Sequence, residues 1–117
     1  MELMELYKLV KKFYGYKTNN IYINSKKNEV IAELYEAFIT KYDIDIYHNE
    51  FGAGILLGNG EQVLAGEILG QKLTMSANED SIVNSLSIID NYCRLRLPDK
   101  FLEAYDNAYK NKKEHQN

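Results

Sequence analysis

The stretch KKNEVIAELYEAFITKYDIDIY, residues 26–47, decides the fold because it carries two periodicities end to end. Val30, Ile31, Leu34, Tyr35, Phe38 and Tyr42 recur at helical spacing, with Ser25 placed as an N-cap. They predict a helix from about Lys26 to Tyr42. From Tyr42 onward the period drops to two. Ile44 and Ile46 fall on one side and Asp43, Asp45 and Tyr47 on the other, the pattern of a half-buried strand.

Before this stretch, Leu3, Leu6, Tyr7, Val10 and Tyr14 form one helical stripe, and Gly15 reads as its stop. Glu2 and Glu5 at its start and Lys11 and Lys12 near its end complement the helix dipole. Ile21-Tyr22-Ile23, between pairs of turn-forming residues, predicts a short strand or an extended connector. After it, residues 52–70 hold six of the seven glycines. Asn59-Gly60 is a hairpin signal, with Ile55-Leu56-Leu57 and Gln62-Val63-Leu64-Ala65 as arms. A further strand is expected over Ile68-Leu69 and Lys72–Met75, and the rival for this region is a short helix from Gly60 to Leu69.

Ser76-Ala77-Asn78-Glu79 has the form of a capping box, and Ile82, Val83, Leu86, Ile89 and Cys93 follow at helical spacing to about Leu95. Pro98 breaks the chain and suits the first position of a last helix, with Phe101, Leu102, Tyr105, Ala108 and Tyr109 as its apolar face. The sum is an α+β fold: a single domain over residues 1–109, with about four helices and a small, mostly antiparallel sheet. Residues 110–117 form a polar C-terminal tail that is expected to fray.

Composition narrows the function. Acidic residues number 17 against 14 basic ones, of which two are Arg, and the formal net charge is −3. Direct nucleic-acid binding is disfavoured, since phosphate neutralisation calls for excess Lys and Arg. Mild acidity instead suits a basic macromolecular partner. One cysteine and no leader or bilayer-length apolar run lead to the expectation of a cytoplasmic protein with no membrane contact.

Chemistry-bearing residues are sparse. Cys93, His48 and His115 do not make up a zinc set, so neither metal nor cofactor is expected. Cys93 lies on an apolar stripe, where a free thiol packs as a small hydrophobe. The glycine-rich stretch lacks the Lys-Ser/Thr of a phosphate loop, and Gly52-Ala53-Gly54 lacks the third glycine of a dinucleotide fingerprint. His48 with Glu50, or Asp43 with Asp45, remain as acid–base candidates. For both, a solvated strand face or turn is the plainer reading. No catalytic residue is assigned, and no enzyme activity is expected. Tyr47, flanked by carboxylates, is good interface material: large area, one polar tip, small entropy cost.

Three segments point to a family. They are Phe51–Leu57 with Asn59-Gly60-Glu61, then Leu73-Thr74 before a capped helix, and Tyr92–Pro98 with Phe101-Leu102 and Tyr105-Asp106. Together they resemble immunity proteins of bacterial contact-dependent growth inhibition systems, over roughly the C-terminal 65–70 residues. The resemblance implies a protein that binds and neutralises the C-terminal domain of a cognate toxin. Such toxins are often nucleases that cut RNA or transfer RNA, and a basic cleft is what an acidic binder would cover. A 1:1 complex is expected.

The family supplies no transferable contact residues. The expected partner-binding set is therefore drawn from charge and exposure: Asp43, Asp45, Tyr47, Glu50, Glu61 and Glu67. Two alternatives stay open. One is a phage- or plasmid-encoded inhibitor of another host protein, and the other is a small enzyme using His48 and Glu50.

Overall fold

The computed structural model describes residues 1–56, 62–64 and 75–115. The elements run α1 (Leu3–Tyr14), a 3₁₀ turn (Gly15–Lys17), β1 (Thr18–Asn24), β2 (Glu29–Leu34), β3 (Phe38–Asp45), β4 (Glu50–Leu56), β5 (Gln62–Leu64), β6 (Met75–Ser76), α2 (Glu79–Leu95) and α3 (Asp99–His115). The fold is a small α+β domain whose described residues hold three α-helices and an antiparallel sheet.

The sheet order is β1-β2-β3-β4-β5, and short β6 pairs with the other end of β4. Register fixes the faces. Val30 pairs with Tyr42 and Tyr42 with Ala53; Ala32 pairs with Thr40 and Thr40 with Ile55. These rows, with Leu34, Ile44 and Phe51, form the inward face. It joins Leu6, Val10 and Tyr14 of α1, Ile82, Leu86, Ile89 and Cys93 of α2, and Leu102 and Tyr105 of α3 in one apolar cluster. Each fully buried aliphatic side chain here contributes about 1.5–3 kcal/mol of transfer free energy.

The predicted helix over residues 26–42 is instead a β-hairpin. β2 is buried at nearly every position, so it shows no alternation, and a strand covered on both faces reads like a buried helix. Its turn, Tyr35-Glu36, contains no Gly, Asn or Pro to mark it. Both residues adopt positive φ, 55° and 56°, and the Ala37 amide donates to the Leu34 carbonyl at 3.0 Å. Leu34 pairs with Phe38, so the loop is the three residues 35–37, and positive φ at its first two is the sense that suits the twist of the flanking strands.

Smaller differences have local causes. β3 ends at Asp45, so Ile46 does not continue the inward face; it is 67% exposed in the turn. The N-cap of α2 is Asn78, whose side chain accepts the Ser81 amide at 2.9 Å, and not Ser76. Ser76 is held in the sheet opposite Glu50. The last helix starts one residue after Pro98, whose carbonyl accepts the Leu102 amide at 3.1 Å. Its backbone is helical through His115, into the segment expected to fray.

The helix predicted over residues 2–14, the strand at 21–23 and the helix ending at Leu95 are observed as α1, β1 and α2. The arms of the Asn59-Gly60 hairpin appear as β4 and β5, antiparallel, with Leu56 opposite Gln62. The turn itself lies outside the described residues, and so does the further strand expected over Ile68-Leu69 and Lys72–Met75, except for Met75, which begins β6. Of the rival helix over 60–69, residues 62–64 are strand and the rest lie outside the described residues.

Candidate functional site

The β3–β4 hairpin brings together four of the six residues singled out from the sequence. Its strands pair Asp45 with Glu50 and Asp43 with Gly52, and β2 places Glu29 opposite Asp43. Directly opposed residues share a face of the sheet. Glu29, Asp43, Asp45 and Glu50 therefore sit on the outward face, in two like-charged cross-strand pairs. Such pairs destabilise a sheet by a few tenths of a kcal/mol to about 1 kcal/mol each.

Among the described residues His48 pairs with Asp45, and Lys41 Nζ is 3.8 Å from Glu29 Oε1. That oxygen is buried and has no hydrogen-bond partner among the described residues. Asp43 is held above the usual carboxylate range, first by burial and then by the charge of Glu29. Its carboxylate lies over β4, where a Cβ added to Gly52 would meet Oδ1 at 2.5 Å. Glycine at 52 thus leaves the space that Asp43 occupies.

The turn at residues 46–49 is fastened by one side chain. Asp45 Oδ1 accepts the amides of Tyr47 at 3.1 Å and His48 at 3.3 Å, and Oδ2 pairs with His48 Nδ1 at 2.6 Å. The hydrogen bond with His48 pulls Asp45 below its ordinary value. The same bond and the charges of Asp45 and Glu50 raise His48. Asn49 closes the turn at φ 52°, and its carbonyl accepts the Ala77 amide at 2.8 Å. This geometry leaves Tyr47 97% exposed at the tip, beside Ile46.

His48 and Glu50 are both exposed. Two surface clefts lie elsewhere. One, of about 410 Å³, is lined by Tyr7, Lys11, Thr18, Asn19, Asn20 and Ile21; the other, about 320 Å³, lies between α1 and α2 at Phe13 and Val83. Neither includes a hairpin carboxylate. Cys93 is fully buried, and burial pushes its thiol up to about 12, so it is no ready nucleophile. Among the described residues, no group of three or more His, Cys, Asp or Glu is placed to hold a metal ion. No described helix is long and apolar enough to cross a membrane.

Glu61 and Glu67, the other two expected contact residues, lie outside the described residues. Sequence reasoning missed Glu29. The misread helix placed it on a different element, and only the β2–β3 register brings it to Asp43.

It also missed a second polar cluster, under the β2–β3 turn. Asp90 accepts from the Tyr35 hydroxyl and pairs with Lys17 Nζ at 2.6 Å. Arg94 donates to Tyr35 Oη at 3.2 Å and to Asp106 at 3.1 Å, and Asp106 also accepts from Tyr16 at 3.1 Å. Two cations face two carboxylates, each with a partner, so the cluster is a neutral clamp joining the turn, α2 and α3. Burial raises Tyr35 far above a free phenol, with the bond to Asp90 adding to it, so the hydroxyl stays a donor. No family model, no curated protein and no solved structure matches this chain.

Proposed function

We propose that this protein acts by binding a basic macromolecular partner through the outward face and tip of the β3–β4 hairpin. The observation that carries this reading is the pairing of Glu29 with Asp43 and of Asp45 with Glu50, two like-charged pairs beside a fully exposed Tyr47. The arrangement works against the stability of the isolated sheet. A cationic surface laid over the exposed Asp43, Asp45 and Glu50 would relieve the repulsion, while the tyrosine supplies the apolar anchor typical of strong interface positions.

The proposed partner is the toxic C-terminal domain of an effector, an RNA-cutting nuclease, neutralised in a 1:1 complex in the cytoplasm. The resemblance to contact-dependent growth inhibition immunity proteins and the acidic balance support it. A nuclease cleft must be cationic to hold its substrate, and an acidic surface seated there excludes RNA.

Co-expression tests the assignment: the chain is produced with the C-terminal domain of the effector encoded beside it. Survival of the host and co-purification of the pair are expected. A toxin that still kills, with no complex recovered, contradicts the assignment. Recovery of a different bound host protein would favour an accessory inhibitor instead.

A further inference from the structure

We propose that the chain forms a symmetric dimer by antiparallel pairing of β1 with β1 of a second copy, on a two-fold axis through Tyr22. This surface is distinct from the acidic hairpin, and the inference does not rest on the function proposed above. β1 is the last strand of the sheet, and among the described residues it pairs with β2 alone.

Its sequence supplies the partner. Asn20-Ile21-Tyr22-Ile23-Asn24 reads the same in both directions. Two copies running antiparallel about Tyr22 therefore match at every position. Asn20 meets Asn24 of the second copy, Ile21 meets its Ile23, and Tyr22 meets Tyr22. A two-fold interface needs a surface complementary to itself, and a palindromic edge strand has that property built in.

The two faces of the strand agree. Ile21 and Ile23 sit opposite Ala32 and Val30 on the inward side and are only partly buried, at the rim of the core. Pairing continues the apolar layer across the axis and covers this rim. Ile23 of the second copy, placed opposite Ile21, stands at the mouth of the cleft lined by Tyr7, Lys11 and Ile21. On the outward side Tyr22, 49% exposed, faces its own copy as a cross-strand aromatic pair, flanked by uncharged amides.

The edge also lacks the usual protection. Exposed strands are normally guarded by Lys, Pro or a bulge. β1 carries no charge and no proline, and its one irregularity, at Thr18/Asn20, stops where the palindrome starts. Beyond it, Lys17 is drawn away by Asp90 at 2.6 Å. Five residues from each copy make a small interface, so the dimer is expected to dissociate in the micromolar range or above. The acidic pairs, on β2 to β4, are not used by this axis, so a dimer would hold two partners.

Sedimentation of the wild-type chain from micromolar to millimolar concentration tests this directly. The weight-average mass is expected to climb from 13.6 kDa toward twice that value. Tyr22→Lys, which sets like charges on the axis, is expected to stay monomeric with an unchanged circular dichroism spectrum, since Tyr22 points outward.

Cross-linking reads the register. Opposed residues of antiparallel strands have Cα atoms about 4.5–5.5 Å apart, within disulfide range. With diamide as oxidant, two Tyr22→Cys thiols give up two protons and two electrons to form one disulfide, and diamide becomes the hydrazine. Cys93 is buried and silent. Tyr22→Cys is expected to cross-link about tenfold or more faster than Met4→Cys, a control of similar exposure on α1. Wild type that stays at 13.6 kDa throughout, or Tyr22→Cys no faster than Met4→Cys, would overturn the proposal.

Discussion

The hydroxyl of Tyr35, in the turn between β2 and β3, donates to the Asp90 carboxylate on α2, 55 residues away in sequence. This bond accounts for a turn that local preference would not choose. A bulky residue at positive φ costs about 1–2 kcal/mol relative to the right-handed region, and two such residues are adjacent here. Tyr35 is held by Asp90 and Arg94, and its amide donates to the Lys17 carbonyl at 2.9 Å. Glu36 accepts from Tyr109 at 2.6 Å and Asn19 at 2.7 Å. Contacts from four other elements, α2, α3, β1 and the 3₁₀ turn, thus fix what the turn residues alone leave open.

Replacing Tyr35 by Phe keeps the ring and removes the donor. Asp90, 6% exposed, then has an oxygen left without this bond, and Arg94 loses one acceptor. The expected loss is about 1–3 kcal/mol, read from the urea midpoint at unchanged slope. In a double-mutant cycle with Asp90→Asn, the two losses are expected to be strongly non-additive. Additive losses would show that the bond does not hold the turn.

The same relationship explains what was legible in the sequence. The stripes of α1 and α2 were readable because each has one buried and one solvated face. Asp43 and Asp45 were readable as an outward pair because period two is local; Tyr47, expected on the same strand face, lies beyond the end of β3 in the turn. β2 was not: its near-complete burial erases alternation, and Glu, Ala and Leu around the turn favour a helix by propensity. The ties that decide against the helix run to Asp90, Arg94 and Tyr109, beyond any local window. Glu29 was lost with β2, and with it half of the Glu29–Asp43 pair.

Asn49 turns the hairpin at φ 52°, a conformation asparagine tolerates and alanine resists. Asn49→Ala is expected to destabilise by about 1 kcal/mol, and Asn49→Gly to be neutral or mildly stabilising. Thermal or urea unfolding of the two variants checks the order. Equal stabilities would argue against the positive φ.

The Asp45–His48 pair predicts a pH window. His48 is raised above 6.5, so its contribution is complete below that value and is lost as pH climbs through the raised one. Asp45 is lowered below 3.8, so its contribution is complete above 3.8 and is lost as pH falls through the lowered one. Both act fully between 3.8 and 6.5. In an NMR titration, Asp45→Asn is expected to bring the His48 midpoint back down. An unmoved His48 midpoint would show that the clasp does not form. Deprotonation of His48 also leaves the hairpin more negative, so a basic partner is expected to bind faster at alkaline pH.

The central claim, that negative potential on the hairpin drives partner capture, is tested most directly by association kinetics with the co-purified partner domain. Wild type is expected to associate quickly, with a rate that falls steeply as salt is added. Asp43→Lys with Asp45→Lys is expected to slow association by about tenfold or more and to flatten the salt dependence. An association rate and salt slope unchanged by the double reversal would contradict the account.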